Sequence, residues 1–141
     1  KAEWMRTDNQ RPQPTQNPGV ARQDIVFGHP SEEEFARVLD FYCIPWRYET
    51  TTFPLEWDED GHIVEAFSPD FYLVDQDTYV ELTTLRPKLM RAKRRKIRRM
   101  HELYPEVNIR LWRRRDFERL LERFGQCARH DELVGQEALN Q

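Results

Sequence analysis

Apolar residues recur at helical spacing over positions 31–42, where Phe35, Val38, Leu39 and Tyr42 fall on one face. Ser31 followed by Glu34 has capping-box spacing, and Pro45 stops any continuation. Residues 46–53, rich in aromatic and β-branched side chains, predict a strand. Residues 55–57 and 62–67 predict a hairpin around Asp58-Glu59-Asp60-Gly61. Two more short strands follow at 70–74 and 79–83, separated by Asp75-Gln76-Asp77-Thr78. A long helix runs from about Pro87, a favoured first-turn proline, to Tyr104, ahead of Pro105. Residues 107–112 alternate as a strand, and a last helix begins near Asp116, with Phe117, Leu120, Leu121 and Phe124 on one face and Gly125 as its stop. The order α-β-β-β-β-α-β-α predicts an α/β fold, a mixed central β-sheet flanked by helices.

The polar ends set the boundaries. Residues 6–19 hold three prolines and no periodic apolar position, so residues 1–24 are expected as a disordered arm. Residues 25–125 form the domain and 126–141 a polar tail, an organisation that suits a chain of 141 residues. No apolar run approaches the roughly 20 residues that cross a bilayer, and the first residues lack a secretory pattern. Cys43 and Cys127 make neither a disulfide scaffold nor a four-ligand zinc site, which points to a reducing, cytoplasmic setting. The five glycines form no phosphate-binding loop, dinucleotide fingerprint or nucleophile elbow.

Charge changes the picture. The chain carries a net −3, yet residues 86–115 hold 13 Lys/Arg against Glu102 and Glu106, leaving −14 on the remainder. A basic block of this kind contacts polyanions or forms a solvated helix face.

The chemistry concentrates in residues 68–83. If the two strands there pair antiparallel, residue numbers across the pair sum to a constant. A turn at 75–78 gives 153, which opposes Asp70 to Thr83 with Glu81 as diagonal neighbour, about 7–8 Å away at Cα. A six-residue turn gives 151 and opposes Asp70 to Glu81 directly. Both registers bring the acids to one face. Glu81 lies between Val80 and Leu82 in a strand built for burial, so its carboxylate needs a cation: a divalent metal shared with Asp70, or a basic side chain from the long helix.

Pro69-Asp70, ten residues, then Glu81-Leu82-Thr83 on a second strand resembles the signature of the PD-(D/E)XK nuclease superfamily. The α-β-β-β-α-β order between Ser31 and Trp112 is similar to that superfamily's restriction-endonuclease-like core. The resemblance implies Mg²⁺- or Mn²⁺-dependent hydrolysis of DNA phosphodiesters by an endonuclease, with Asp70, Glu81 and the Leu82 carbonyl as metal ligands. Thr83 stands where the motif has its lysine.

On the long helix Leu89, Lys93, Lys96, Ile97, Met100 and Leu103 share a face, which puts two lysines in an apolar stripe. This looks like the relocated lysine of some superfamily members, and Lys93, nearer Glu81 along the chain, is the preferred candidate over Lys96; snorkelling stems are the alternative. Glu34 resembles the auxiliary acid on the first helix, although its capping position also accounts for it. Arg91, Arg94, Arg95 and Arg98 on the opposite side are the candidate phosphate contacts. His29, His62, His101 and His130 lack ligand spacing, and Trp46, Tyr48, Phe71 and Trp112 are expected in the core. With no specificity segment evident, a homodimer or protein partner would direct the site. The rival functions are an inactive nucleic-acid-binding module of the same fold and a protein-interaction domain with a basic helix.

Overall fold

Two β-sheets and two α-helices make a mixed α/β fold in the computed structural model, which describes residues 11–83, 86–113, 116, 118, 119 and 122. The first helix, α1 (Pro30–Phe41), starts two residues earlier than a capping box on Ser31 predicts. Pro30 has its φ preset for a first turn and no N–H to satisfy, so the cap falls on His29, whose Nδ1 accepts from Ser31 N–H at 3.1 Å.

The strand expected over 46–53 divides. Glu49, at φ 44°, turns the chain out of β2 (Trp46–Tyr48) and into β3 (Thr51–Trp57), which belong to different sheets. β3 forms the expected hairpin with β4 (Ile63–Phe67), and the pairing shifts register after Pro54. In the hairpin turn Asp58 accepts from the Asp60 and His62 amides, and Gly61 has φ 84°. Residues 15–17 lie against this sheet, and Arg22 pairs with Asp40 of α1 and covers Trp46. Thr15–Gln16, which we call β1, pairs with β3, and the Arg11 guanidinium stacks on Tyr104 and donates to the Leu103 carbonyl. The polar residues of this segment reach order through hydrogen bonds, such as Thr52 to Asn17 at 2.8 Å, and not through apolar burial.

The other sheet carries the order β2-β5-β6-β7. Its members are β5 (Phe71–Leu73), β6 (Thr78–Leu82) and β7 (Ile109–Trp112), with α2 (Pro87–Leu103) crossing between β6 and the parallel β7. One core packs Phe35 and Leu39 of α1 on Trp46, Phe71, Leu73, Val80 and Leu82. A second joins Phe53, Leu55 and Phe67 to Met100, Tyr104 and Ile109. Each large side chain so buried contributes about 1.5–3 kcal/mol. Tyr104 also donates its hydroxyl to the Pro54 carbonyl, 2.7 Å away in the interior. Leu89, expected on the buried stripe of α2, is exposed. The predicted tail 126–141 lies outside the described residues, as does most of the helix expected from 116.

Candidate metal centre

Antiparallel pairing of β5 and β6 follows the sum of 151: Phe71 faces Val80, Tyr72 faces Tyr79 and Leu73 faces Thr78. The connection is residues 74–77, closed by Asp77 in the left-handed region at φ 47°. This register sets Asp70 across from Glu81. Because side chains alternate along a strand, Phe71, Val80 and Leu82 enter the α1 core while Glu81 and Tyr79 face the other way, toward α2.

The two acids hold each other's backbone. Asp70 N–H donates to Glu81 Oε1 at 3.1 Å, and Leu82 N–H donates to Asp70 Oδ2 at 3.0 Å. Glu81 is only 6% exposed. Burial, then repulsion from Glu81, pushes the Asp70 carboxyl up to about 8, against the pull of the Leu82 amide and Lys93. Burial raises the Glu81 pKa too, opposed first by the charge of Lys93.

Lys93 is the one sequence-predicted lysine that reaches the pair. Its Nζ donates to the Leu82 carbonyl at 2.5 Å and lies 3.3 Å from Glu81 Oε2. The β6-α2-β7 crossover positions it, laying α2 over the β6 face from which Glu81 projects. Lys96 points elsewhere, with its ammonium 5.8 Å from the centre of the Phe67 ring. Three residues on a helix turn a side chain by about 300°, which carries Lys96 past Glu81 to the β4 side.

Two further acids, from α1 and from the turn after β2, gather at Asp70 rather than at Glu81. Glu32, Glu49 and Asp70 each offer an oxygen within 4.8 Å of the others. Glu32 is 7% exposed and its Oε1 accepts from Tyr48 Oη at 2.6 Å, while Tyr48 Oη accepts from Gly28 N–H at 3.2 Å. Burial and the bond to Glu32 raise the Tyr48 pKa. Glu34, expected as the auxiliary acid, is exposed on another face of α1. Periodicity held the signal for Glu32: it precedes Phe35 by three residues and Leu39 by seven, so it is an acid on the buried stripe. Glu49 had no such signal, since only the left-handed turn between β2 and β3 directs it here, with its N–H donating to the Asp70 carbonyl at 2.9 Å.

This donor set fits a hard divalent cation. It is all oxygen and anionic, and Asp70, half-buried within it, also lies beside the buried Glu81. Asp58, Asp60 and His62 also converge, but on the exposed hairpin turn where Asp58 already caps two amides.

The arginines expected to contact phosphate separate in the structure. Arg95 forms a two-point ion pair with Glu65 of β4, at 2.9 and 3.1 Å. Arg91 is exposed, and Arg94 and Arg98 line a cavity beside β7. Of the histidines, His29 caps α1, His62 neighbours Asp58, His101 borders that cavity, and His130 lies outside the described residues. Trp46 and Phe71 are buried in the α1 core, with Tyr48 and Trp112 packed against it. Among the described residues no helix is long and apolar enough to cross a membrane. No family model, curated protein or solved structure matches the chain.

Proposed function

We propose that the chain is a divalent-metal-dependent endonuclease of the PD-(D/E)XK kind, acting on DNA phosphodiesters. The observation that carries this reading is the convergence of Asp70, Glu81 and Lys93: a half-buried and a buried carboxylate, with an ammonium 3.3 Å from the buried one. The crossover from β6 through α2 to a parallel β7 supports a core of that type. Asp70 and Glu81 would hold Mg²⁺ or Mn²⁺, with Glu32, Glu49 and the Leu82 carbonyl within reach as further oxygen donors. When bound, the metal supplies a water of lowered pKa and offsets charge growing on the phosphate. The chain's own residues do the rest. Lys93 brings the positive charge that Thr83 cannot, where it can orient the attacking water or steady the phosphate oxygens. Asp70 and Glu81, fixed by backbone amides, need little reorganisation to bind.

The test is incubation with plasmid, single-stranded and branched DNA in Mg²⁺, Mn²⁺ or EDTA, beside Asp70→Asn protein. Cleavage in metal that the variant lacks supports the reading. A specific observation favours the rival binding module: Lys93 already neutralises Glu81 and engages the Leu82 carbonyl, so the buried charge is balanced without metal. DNA binding without cleavage in either metal would decide for that module.

A further inference from the structure

Between α2 and β7 lies a cavity of about 540 Å³, within the range of ligand pockets (about 300–1,000 Å³). Its rim is basic: Arg94 and Arg98 of α2, with Arg113 and Arg119, are all exposed. No ion pair occupies any of these four guanidinium groups among the described residues. Asp116, the acid on the same rim, accepts from the Arg113 backbone N–H at 3.1 Å. The floor is different in kind, formed by the half-buried side chains of Met90, Ile97 and Leu111. A polyanion that met only arginines would leave this floor uncovered. The cavity also adjoins the carboxylates, because Leu111 is the β7 register partner of Glu81 and Thr83 borders the opening.

We propose that this cavity receives one unpaired nucleotide of a nucleic-acid strand, its phosphates on the arginines and its base on the apolar floor. An intact duplex offers phosphates and groove edges but keeps its base faces stacked, so only an unpaired base can cover Met90, Ile97 and Leu111. The proposal deepens the nuclease reading and rests on it for the statement that the bound strand is the one presented to Asp70 and Glu81; the binding itself requires no cleavage. The substrate class is therefore DNA with a single-stranded or frayed segment beside the scissile bond.

Fluorescence anisotropy in EDTA, with a labelled short oligothymidylate and a labelled blunt hairpin, reads the binding apart from the chemistry. The oligothymidylate should bind about tenfold tighter than the hairpin, the scale of one base stacked on a protein surface. Arg94→Ala and Arg98→Ala should weaken both probes, and Met90→Ala should weaken the oligothymidylate selectively. Arg37→Ala on α1 should change neither. The two arginines are exposed and Met90 is only half-buried, so melting curves should stay near wild type; if Met90→Ala unfolds, Met90→Gln tests the floor instead. Equal affinity for the hairpin, unchanged binding in the cavity variants, or equal competition by a polyglutamate peptide would overturn the proposal. If the protein never cuts but these variants lose the oligothymidylate, the nuclease reading fails and the cavity assignment stands. If it cuts while the variants bind as wild type, the cavity assignment alone falls.

Discussion

Asp70 and Glu81 are tied in both directions across the β5–β6 pair: the Glu81 carboxylate takes the Asp70 amide, and the Asp70 carboxylate takes the amide of Leu82, one residue past Glu81. Each bond satisfies a carboxylate oxygen and fixes its direction, which leaves desolvation first, and repulsion between the two acids second, as the costs at Asp70. The site therefore holds two acids that favour a shared proton or a cation.

Those costs have a sign in pH. The Asp70 carboxyl titrates near 3.8 when unfolded and near 8 in the fold, so the native state binds more protons between those values. Stability is greatest at the acid end of that window and falls as pH rises through it, by at most about 1.4 kcal/mol per pH unit for one proton. Melting curves in EDTA across that window should show the fall. Asp70→Asn should flatten it and raise the melting temperature at its alkaline end. A wild-type curve no steeper than the variant's would show that the pair carries no excess proton.

Divalent metal should reverse the same penalty. In Mg²⁺ at a hundred times its dissociation constant the folded state gains about 2.7 kcal/mol. Calorimetric titration should find this binding in the wild type and not in Asp70→Asn/Glu81→Gln. Glu32→Gln keeps an oxygen for the Tyr48 hydroxyl but removes a charge, and should weaken Mg²⁺ about tenfold. Glu34→Gln should leave Mg²⁺ binding near wild type, since Glu34 is exposed on another face of α1 than Glu32. Equal losses from Glu32→Gln and Glu34→Gln would remove Glu32 from the site.

What could be read in the sequence was local or periodic. The alternation of β5 and β6 sets Asp70 and Glu81 on one face in either register, and the α2 pattern narrows the lysine to Lys93 or Lys96, of which Lys93 reaches Glu81. Ser31 and His29 both offer a cap for the first helix, two residues apart, and the pattern of side chains alone does not choose between them. Other features depend on contacts distant in sequence. Glu49 reaches the site through a left-handed turn, Arg95 leaves the phosphate-facing set by pairing with Glu65 on β4, and residues 15–16 become a strand only because β3 offers an open edge.

The separation of the arginines bears on DNA binding. Affinity for duplex DNA should fall steeply with salt, since each lysine or arginine on a phosphate releases a counterion. Arg91→Glu, Arg94→Glu and Arg98→Glu together should weaken it and flatten the salt slope. Arg95→Gln should leave the slope near wild type, because Glu65 already neutralises this guanidinium. A slope that depends on Arg95 and not on the other three would move the DNA surface to the β4 side.

Lys93 separates a working site from a relic. Lys93→Met keeps the packed stem and deletes only the ammonium beside Glu81 and the Leu82 carbonyl. If that ammonium acts on the reacting phosphate or water, cleavage should fall about 10²–10³-fold, the scale of losing one preorganised donor. DNA affinity in EDTA should stay within a few-fold of wild type, because the contribution belongs to the transition state. The same substitution strips Glu81 of its cation, so the melting temperature in EDTA should drop as well, and Mg²⁺ should restore part of that loss by supplying charge to the same carboxylate. Lys96→Met provides the contrast: its ammonium rests over Phe67, away from both acids, and cleavage should persist. Loss of melting temperature in Lys93→Met with cleavage unchanged would make Lys93 a structural counter-ion, leaving the chemistry to the metal and the carboxylates alone. Cleavage lost in Lys96→Met and kept in Lys93→Met would require α2 to shift by a turn when DNA binds, against the Lys93–Glu81 pair seen in the fold.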